Sequence, residues 1–187
     1  QLTANDFQKF NLITTKKNIV KDSPLFFRDV KIIDNQSPIK KIRDKIRNLL
    51  SVAQITLPKN PRLEISHHYG LENFYKYGIT MIDIINHDYC KKLILMLPGQ
   101  KHPAQFHKKK EESFFILYGS INLMLDKKKY YLKAGDLKTI KKKQIHIFST
   151  KKGAIIEELS TTSIKSDSYY LDREIIENKR RKSFIYL

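Results

Sequence analysis

One stretch of the sequence gathers side chains that could bind a metal and move protons. Gln105 and His107 are followed by Lys110 and Glu112, and His146 comes later in the chain. On strands, residues two apart share a face, so Gln105 and His107 can point together into a barrel, with a carboxylate of the next strand facing them. Two imidazoles, one carboxylate and an amide suit Fe, Mn, Ni, Co or Zn, because these metals accept mixed nitrogen and oxygen ligands. These residues therefore predict a divalent-metal site with positions open for a substrate.

A second carboxylate, Glu158, lies among apolar residues near the end of the chain. Because Glu157 and Glu158 point to opposite sides of a strand, we expect one of them inside the barrel and the other outside. Burial would raise the pKa of Glu158 and suit it to act as a general base. The alternative is an exposed strand position.

Short β-branched or aromatic runs must position these side chains. Turn signals such as Pro98-Gly99 and Lys152-Gly153 separate the runs. Eight closely spaced strands predict an antiparallel sandwich or barrel. The predicted strands are residues 79–85, 91–97, 113–118, 120–125, 129–133, 137–140, 145–150 and 154–161.

The chain before the barrel is organised differently. Residues 1–36 show no sustained period and are interpreted as an arm of short strands and turns. Ser37 and Pro38 are typical of a helix start, and apolar residues at helical spacing then predict an amphipathic helix of about 16 residues. We therefore expect four parts: the arm, a helical and loop segment packing on the barrel (37–78), the barrel (79–166) and a polar tail (167–187).

Composition bounds the class of protein. The chain has 36 Lys and Arg against 19 Asp and Glu, a net charge of +17, but 29 of those cations are lysines. Nucleic-acid readout relies on arginine, so we expect no nucleic-acid partner. The single cysteine fits a reducing, cytoplasmic compartment, and there is no apolar run that predicts a membrane partner. The start at Gln1 instead of Met suggests a removed start or a piece of a longer polypeptide.

The spacing of the polar cluster resembles the cupin superfamily of small double-stranded β-helix barrels. Its first motif, G-x5-H-x-H-x4-E-x6-G, is met by Gly99, Gln105, His107, Glu112 and Gly119, with Gln105 at the position of the first ligand His. The resemblance implies a mainly β, jelly-roll-like barrel, here preceded by the predicted helix and arm.

The second cupin motif, G-x5-P-x-G-x2-H, is also in register. Gly135 and His146 match it, whereas Lys141-Lys142-Lys143 replaces the Pro-x-Gly turn. A match to both motifs favours the cupin fold over a chance alignment of one of them.

The resemblance implies a ligand set for the metal. His107, Glu112 and His146 fall at three of the four ligand positions. Either Gln105, a weaker oxygen donor, or His102, three residues earlier, would complete the site.

Two closer resemblances suggest a function. Residues 97–112 and 66–70 look like the cupin domain at the C-terminus of some sialic acid synthase-like proteins, and the likeness covers roughly residues 37–178. D-lyxose isomerase-like cupins are similar in a His-x2-Lys-x-Glu spacing that includes Lys110, and in a later Glu-x-Ser strand that begins at Glu158.

Two functions remain open at this point. The resemblance implies a metal-dependent, carbohydrate-active cupin, foremost a D-lyxose-type sugar isomerase with Glu158 and Lys110 as catalytic residues. The alternative is a non-catalytic module that binds a sugar or nucleotide sugar and is associated with a sialic acid synthase-like protein. Cupins often pair through their sheets, so the resemblance also implies a homodimer.

Overall fold

The fold is given by a computed structural model that describes residues 12–15, 23–24, 26, 30–33 and 37–187. The chain forms two compact units, residues 1–42 and 43–187. In the first unit, strands β1 (Leu12–Thr15) and β2 (Val30–Ile33) pair in an antiparallel two-stranded sheet. Most of the predicted arm lies outside the described residues.

Helix α1 (Pro38–Val52) confirms the amphipathic pattern of the sequence. Ile46, Leu49 and Leu50 are buried on one face, while Arg47 and Asn48 between them are exposed. Hydrophobic burial along this stripe stabilises the helix, because an isolated helix of this length is marginal in water.

The second unit is built mainly from strands. Two short helices, α2 (Phe74–Tyr77) and α3 (Arg173–Glu177), and a 3-10 turn at Lys165–Asp167 accompany them. The strands are β3 (Arg62–His67), β4 (Gly78–Asn86), β5 (Tyr89–Met96), β6 (Lys101–Phe106), β7 (Glu112–Leu125), β8 (Lys128–Lys133), β9 (Leu137–Ile140), β10 (His146–Ser149), β11 (Ala154–Thr161), β12 (Tyr169–Tyr170) and β13 (Lys182–Tyr186).

All eleven of these strands belong to one antiparallel sheet that curls into a half-barrel. The order of the main path is β12-β6-β10-β7-β11-β5-β4-β3-β13, and β8 and β9 add to β7. Strands β6, β10 and β7, which carry residues of the polar cluster, are therefore direct neighbours in the sheet, although β10 is distant from β6 in sequence. This topology confirms the predicted mainly β, jelly-roll-like fold.

The long strand β7 joins the two parts of the curled sheet. Its first half pairs with β9 and β11, and its second half pairs with β8 and β10. The change occurs at Gly119, whose φ of +73° favours glycine and where a Cβ would lie 2.1 Å from the carbonyl oxygen of Gly153. Glycine at this position thus permits the close approach of β7 and β11.

An apolar core packs beside the polar cluster. Phe114, Phe148, Met96 and Ile156 are among its fully buried members. These bulky side chains hold the strands in register, so the polar residues between them are fixed in position.

The boundaries of the predicted barrel differ from the structure. β3 lies before residue 79, and β12 and β13 lie in the predicted polar tail, yet all three pair within the barrel sheet. β6 was not among the predicted strands, and residues 113–125 form one strand where two were expected.

Among the described residues, no helix combines the length and the apolar character needed to cross a membrane.

Candidate metal centre and the surrounding cavity

Neighbouring strands bring the predicted ligands to one place inside the half-barrel. Gln105 lies in β6, directly opposite His146 at the start of β10, with a register shift just beyond. Glu112 begins β7, and Glu158 lies in β11. His107 follows the last residue of β6. Residues more than 50 positions apart in the chain therefore share one buried site.

Three of these side chains converge on a common point. The Nε2 atom of His146 lies 3.2 Å from Oε1 of Glu112, and Nε2 of His107 lies 3.7 Å from the same oxygen. All three residues are buried, and their ligand atoms lie within 4.8 Å of one another. The structure thus brings together His107, Glu112 and His146, the three residues that match the cupin ligand positions.

Main-chain carbonyls orient both imidazole rings. Nδ1 of His107 lies 2.6 Å from the carbonyl oxygen of Asp167, and Nδ1 of His146 lies 3.2 Å from that of Gln144. A carbonyl only accepts, so each Nδ1 carries the proton and donates it. Both Nε2 atoms therefore carry a lone pair and no proton, as in histidines that bind metals.

The protonation states of this cluster favour the binding of a cation. Burial lowers the pKa of His107 to about 4 and also lowers that of His146, so both rings are neutral near pH 7. Burial would raise the pKa of Glu112, but Lys110 and the two histidines lower it to about 2. Nε2 of His107 and Oε1 of Glu112 have no hydrogen-bond partner among the described residues. Buried lone pairs that face one another without a proton between them suit a divalent metal.

Lys110 links this cluster to a second carboxylate. Its Nζ lies 2.5 Å from Oε2 of Glu112 and 2.6 Å from Oε1 of Glu158, and all three side chains are at least 93% buried. Burial opposes the ammonium charge, but the two carboxylates raise the pKa of Lys110 above its usual value. The lysine therefore stays charged and is not a solvated surface residue.

Glu158 lies inside the barrel and Glu157 outside, as the alternation of the strand predicts. Both hydrogen bonds that the described residues donate to Glu158, from Lys110 and Ser160, go to Oε1. Burial, and then the negative charge of Glu112, raise the pKa of Glu158. A buried carboxyl with a raised pKa and a second oxygen without such a bond is suited to proton transfer.

The two candidates for completing the ligand set lie at different points. Nε2 of the Gln105 amide lies 3.1 Å from Nε2 of His146, where it donates a hydrogen bond. His102 lines the same cavity, but its Nδ1 bonds the carbonyl of Pro103 and its ring stacks on Phe148. His102 is not one of the converging ligands, whereas Gln105 contacts one of them directly.

Asp167, which is not among the predicted site residues, supports the site from the predicted polar tail. Its carboxylate accepts hydrogen bonds from the backbone N–H groups of Lys108, Lys109 and Lys110 at 2.9–3.2 Å. Burial would raise the pKa of Asp167, but these donors lower it. Asp167 thus holds both the turn that carries Lys110 and, through its carbonyl, the ring of His107. No local sequence signal marks it, because it lies 60 positions from His107.

The cluster opens onto a cavity of about 420 Å³. This size lies within the range of small-molecule sites. Its wall includes Tyr170 of β12 and Arg181, both from the predicted tail. Nearby, buried His68 lies 3.0 Å from the Tyr170 hydroxyl through Nε2 and 2.7 Å from the carbonyl of Tyr77 through Nδ1.

A family of known domains matches the central part of this unit. Residues 92–157 match the family model described as a cupin domain, and this segment contains His107, Glu112 and His146. No curated protein matches the sequence.

Solved structures with a similar fold include three L-ribose isomerases. The enzyme of Cellulomonas parahominis with L-psicose is 13% identical, with a TM-score of 0.63, and the alignment covers 76% of this chain and 94% of that one. The enzyme of Geodermatophilus obscurus is 12% identical, with a TM-score of 0.62 and coverage of 75% and 94%. The enzyme of Acinetobacter sp. DL28 in complex with L-ribose is 13% identical, with a TM-score of 0.62 and coverage of 75% and 93%. At such identities the likeness establishes the fold.

Proposed function

The chain carries a cupin domain, and from the buried site inside it we propose that the protein is a metal-dependent sugar isomerase that interconverts an aldose and a ketose, of the D-lyxose type. The observation that carries this proposal is the position of Glu112. One of its oxygens faces the lone pairs of two neutral histidines, and the other pairs with Lys110, which also holds Glu158. The residues that we propose to bind the metal and those that we propose to transfer protons are therefore in direct contact.

His107, Glu112 and His146 would hold the metal. When bound, a divalent metal would polarise the carbonyl and the adjacent hydroxyl of an open-chain sugar. Gln105 would contribute a fourth ligand atom if its amide turned over, because Oε1 would then take the place of the N–H group that now bonds His146. The alternative fourth ligand, His102, would have to leave its stack on Phe148.

Glu158 would move the proton between the two carbon atoms. As a base it takes the proton from C2 of the aldose, and as an acid it returns that proton to C1 of the enediol, while the hydroxyl hydrogen of O2 passes to O1. The raised pKa of Glu158 favours both steps, since a carboxyl whose pKa lies nearer neutrality both accepts and returns a proton efficiently.

Lys110 would stabilise the oxygen on which negative charge develops. Its ammonium group has three N–H donors, two of which are directed at Glu112 and Glu158. The third is free to donate to a substrate oxygen. Because its two carboxylate partners keep Lys110 charged, this donor is present throughout the reaction.

The similar structures support a sugar as substrate. Three of them are named as L-ribose isomerases, and one holds L-psicose and another L-ribose. This chain shares their fold, which supports an aldose–ketose isomerisation as the proposed activity.

The test measures bound metal and turnover in the same samples. Purified protein is loaded with Mn, Fe, Co, Ni or Zn, and ketose formation from lyxose and mannose is followed. We expect turnover in the wild type and a loss of at least about 100-fold in Glu158→Gln, the scale of a general base, with bound metal retained. Glu111→Gln, at an exposed neighbour of Glu112, is the matched control. A protein that binds no metal, or turns over no aldose once loaded, contradicts the proposal.

One observation favours a second function, a non-catalytic sugar or nucleotide-sugar binding module of a sialic acid synthase-like protein. Gln105 stands where cupins of this type have a ligand histidine, and its amide N–H engages the Nε2 lone pair of His146. A weakened metal site is compatible with binding alone. Calorimetry with sialic acid and related sugars, in the wild type and in His107→Ala, separates the functions: sugar binding that persists without metal and without turnover indicates the module.

A further inference from the structure

Arg181 is an arginine on the wall of the cavity that lacks an anionic partner. Four carboxylates line this cavity within the described part of the chain, and each is already paired with a lysine. None of the ion pairs formed by the described residues includes Arg181. The lysine pairs are Lys92 with Asp83, Lys182 with Glu64, and Lys110 with both Glu112 and Glu158.

The guanidinium of Arg181 also has a hydrogen-bond donor that is not used within the described part of the chain. Its Nε atom is buried, yet it has no hydrogen-bond partner among the described residues. A buried charged donor without a partner is costly, so its presence in a ligand cavity points to an acceptor that arrives with the ligand.

The surrounding structure holds this side chain in place. The carbonyl of Arg181 accepts a hydrogen bond of 2.8 Å from the backbone N–H of His67, directly before β13 pairs with β3. The guanidinium carbon lies 5.2 Å from the ring centroid of Tyr170, within reach of a cation–π contact. Tyr170 is in turn fixed by its contact with His68. The arginine is therefore preorganised in the wall of the cavity onto which the candidate metal ligands open.

We propose that Arg181 binds an anionic oxygen group, a carboxylate or a phosphate, at the end of the sugar away from the metal. A sugar acid or a sugar phosphate is then preferred to the neutral sugar of the same configuration. The guanidinium suits this role because its planar fork matches both groups in a two-point contact. This inference rests on the proposed function for the orientation of the sugar, but the anion site itself consists of Arg181 and does not depend on the metal.

The experiment compares three sugars of one configuration. Mannose, mannuronate and mannose 6-phosphate differ at C6, and their dissociation constants are measured by calorimetry with the metal-free and the metal-loaded protein. A charged hydrogen bond corresponds to about 10-fold to 100-fold in affinity. We expect at least one anionic sugar to bind more tightly than mannose by that factor in both forms. The two anionic arms distinguish a carboxylate from a phosphate ligand.

Variants test whether Arg181 causes the preference for an anionic sugar. Arg181→Gln should abolish the preference while still binding mannose, which shows that this variant is folded, and Arg181→Lys should restore part of the preference. Arg180→Gln is the matched control, since Arg180 is its exposed neighbour, and it should keep the preference. Equal binding of all three sugars, no binding of any of them to the wild type, or a preference that survives in Arg181→Gln overturns the inference.

The outcomes separate this inference from the proposed function. Anion-dependent binding without turnover in the loaded protein would leave the anion site standing and contradict the isomerase. Turnover of mannose together with equal binding of the three sugars would support the isomerase and contradict the anion site.

Discussion

Glu112 contacts both parts of the site, the two histidines on one side and Lys110 on the other. Oε1 faces His107 and His146, and Oε2 accepts from Lys110. A cation held by Oε1 would draw charge from the carboxylate and weaken its hold on Lys110. The position of the lysine between Glu112 and Glu158 would then shift towards Glu158, the proposed base.

Gln105 tests the fourth ligand position of the proposed metal site. Replacing it in Gln105→His should raise the affinity for Zn or Ni by at least about tenfold, equivalent to about 1.4 kcal/mol, because an imidazole nitrogen is a stronger ligand than an amide oxygen. Competition titration with a chromophoric chelator gives the constant. Gln105→Leu serves as control and should bind more weakly than the histidine variant. Equal affinities in all three proteins would show that position 105 is not a ligand position.

Lys143 adopts a backbone conformation that suits glycine. Its φ is +65°, and its N–H donates to the carbonyl of His107 at 2.6 Å. Lys143→Gly should therefore raise the free energy of unfolding by about 1 kcal/mol, the cost of the left-handed region for a residue with a Cβ. Urea denaturation measures the change. Lys142→Gly is the control, because Lys142 has negative φ, and it should not stabilise the protein. A destabilised Lys143→Gly would refute this reading of the turn.

At the scale of elements, the turn between β6 and β7 depends on the 3-10 turn that carries Asp167. Three successive N–H groups of residues 108–110 donate to one carboxylate. In Asp167→Asn the side-chain NH2 group would face the backbone N–H groups of residues 108–110. Hydrogen bonds would be lost, so the turn and the ring of His107 would loosen. We expect metal affinity to fall by about 10-fold to 100-fold, as for other residues that support metal ligands.

The same chelator titration tests this prediction. Asp88→Asn, at an exposed aspartate, is the control and should retain the affinity of the wild type. Circular dichroism establishes that the fold of each variant is intact. A folded Asp167→Asn with unchanged affinity would mean that this element does not support the site.

The sequence predicted the strands that carry an apolar β-branched pattern, such as β9 and β11, within a residue or two. It did not predict β6, because Pro103 interrupts the pattern and most of its residues are polar. The candidate ligands His107, Glu112 and His146 were predicted from the spacing of the cupin motifs, and the structure brings the three together. Asp167 and Arg181 could not be found in this way, because strand pairing of β12 and β13 across the chain brings them to the site.

At the scale of the whole molecule, the charge of +17 is mostly on the surface. The turn lysines 127–129 and 141–143 are exposed, which agrees with a solvated role. Four lysines line the cavity; Lys92, Lys110 and Lys182 are paired with carboxylates, whereas Lys165 and Arg181 form no ion pair with the described residues. Only a small part of the net positive charge therefore lies where it can act on a molecule in the cavity.

Buried histidines should make the metal-free protein sensitive to mild acid. Burial lowers the pKa values of His68 and His107 to about 4, whereas in the unfolded chain they lie near 6.5. The unfolded state thus binds protons first as the pH falls. The free energy of unfolding should decrease between pH 6.5 and 4 by about 1.4 kcal/mol per pH unit for each histidine. Glu158 acts in the opposite direction, since its raised pKa lets the folded state take up a proton.

Urea denaturation of the metal-free protein between pH 7.5 and 5 measures this slope. His68→Gln should reduce the slope, and His87→Gln, at an exposed histidine, should leave it unchanged. A stability that is constant or rises as the pH falls would contradict the neutral, buried state of these rings.

The central claim is that His107, Glu112 and His146 hold one divalent metal on which turnover depends. The most direct measurement titrates metal into metal-free protein while bound metal and ketose formation are recorded together. We predict that turnover rises in proportion to bound metal and stops rising at one ion per chain, and that His107→Ala and Glu112→Gln lose both. Turnover without bound metal, or full metal binding in those variants, would contradict the account.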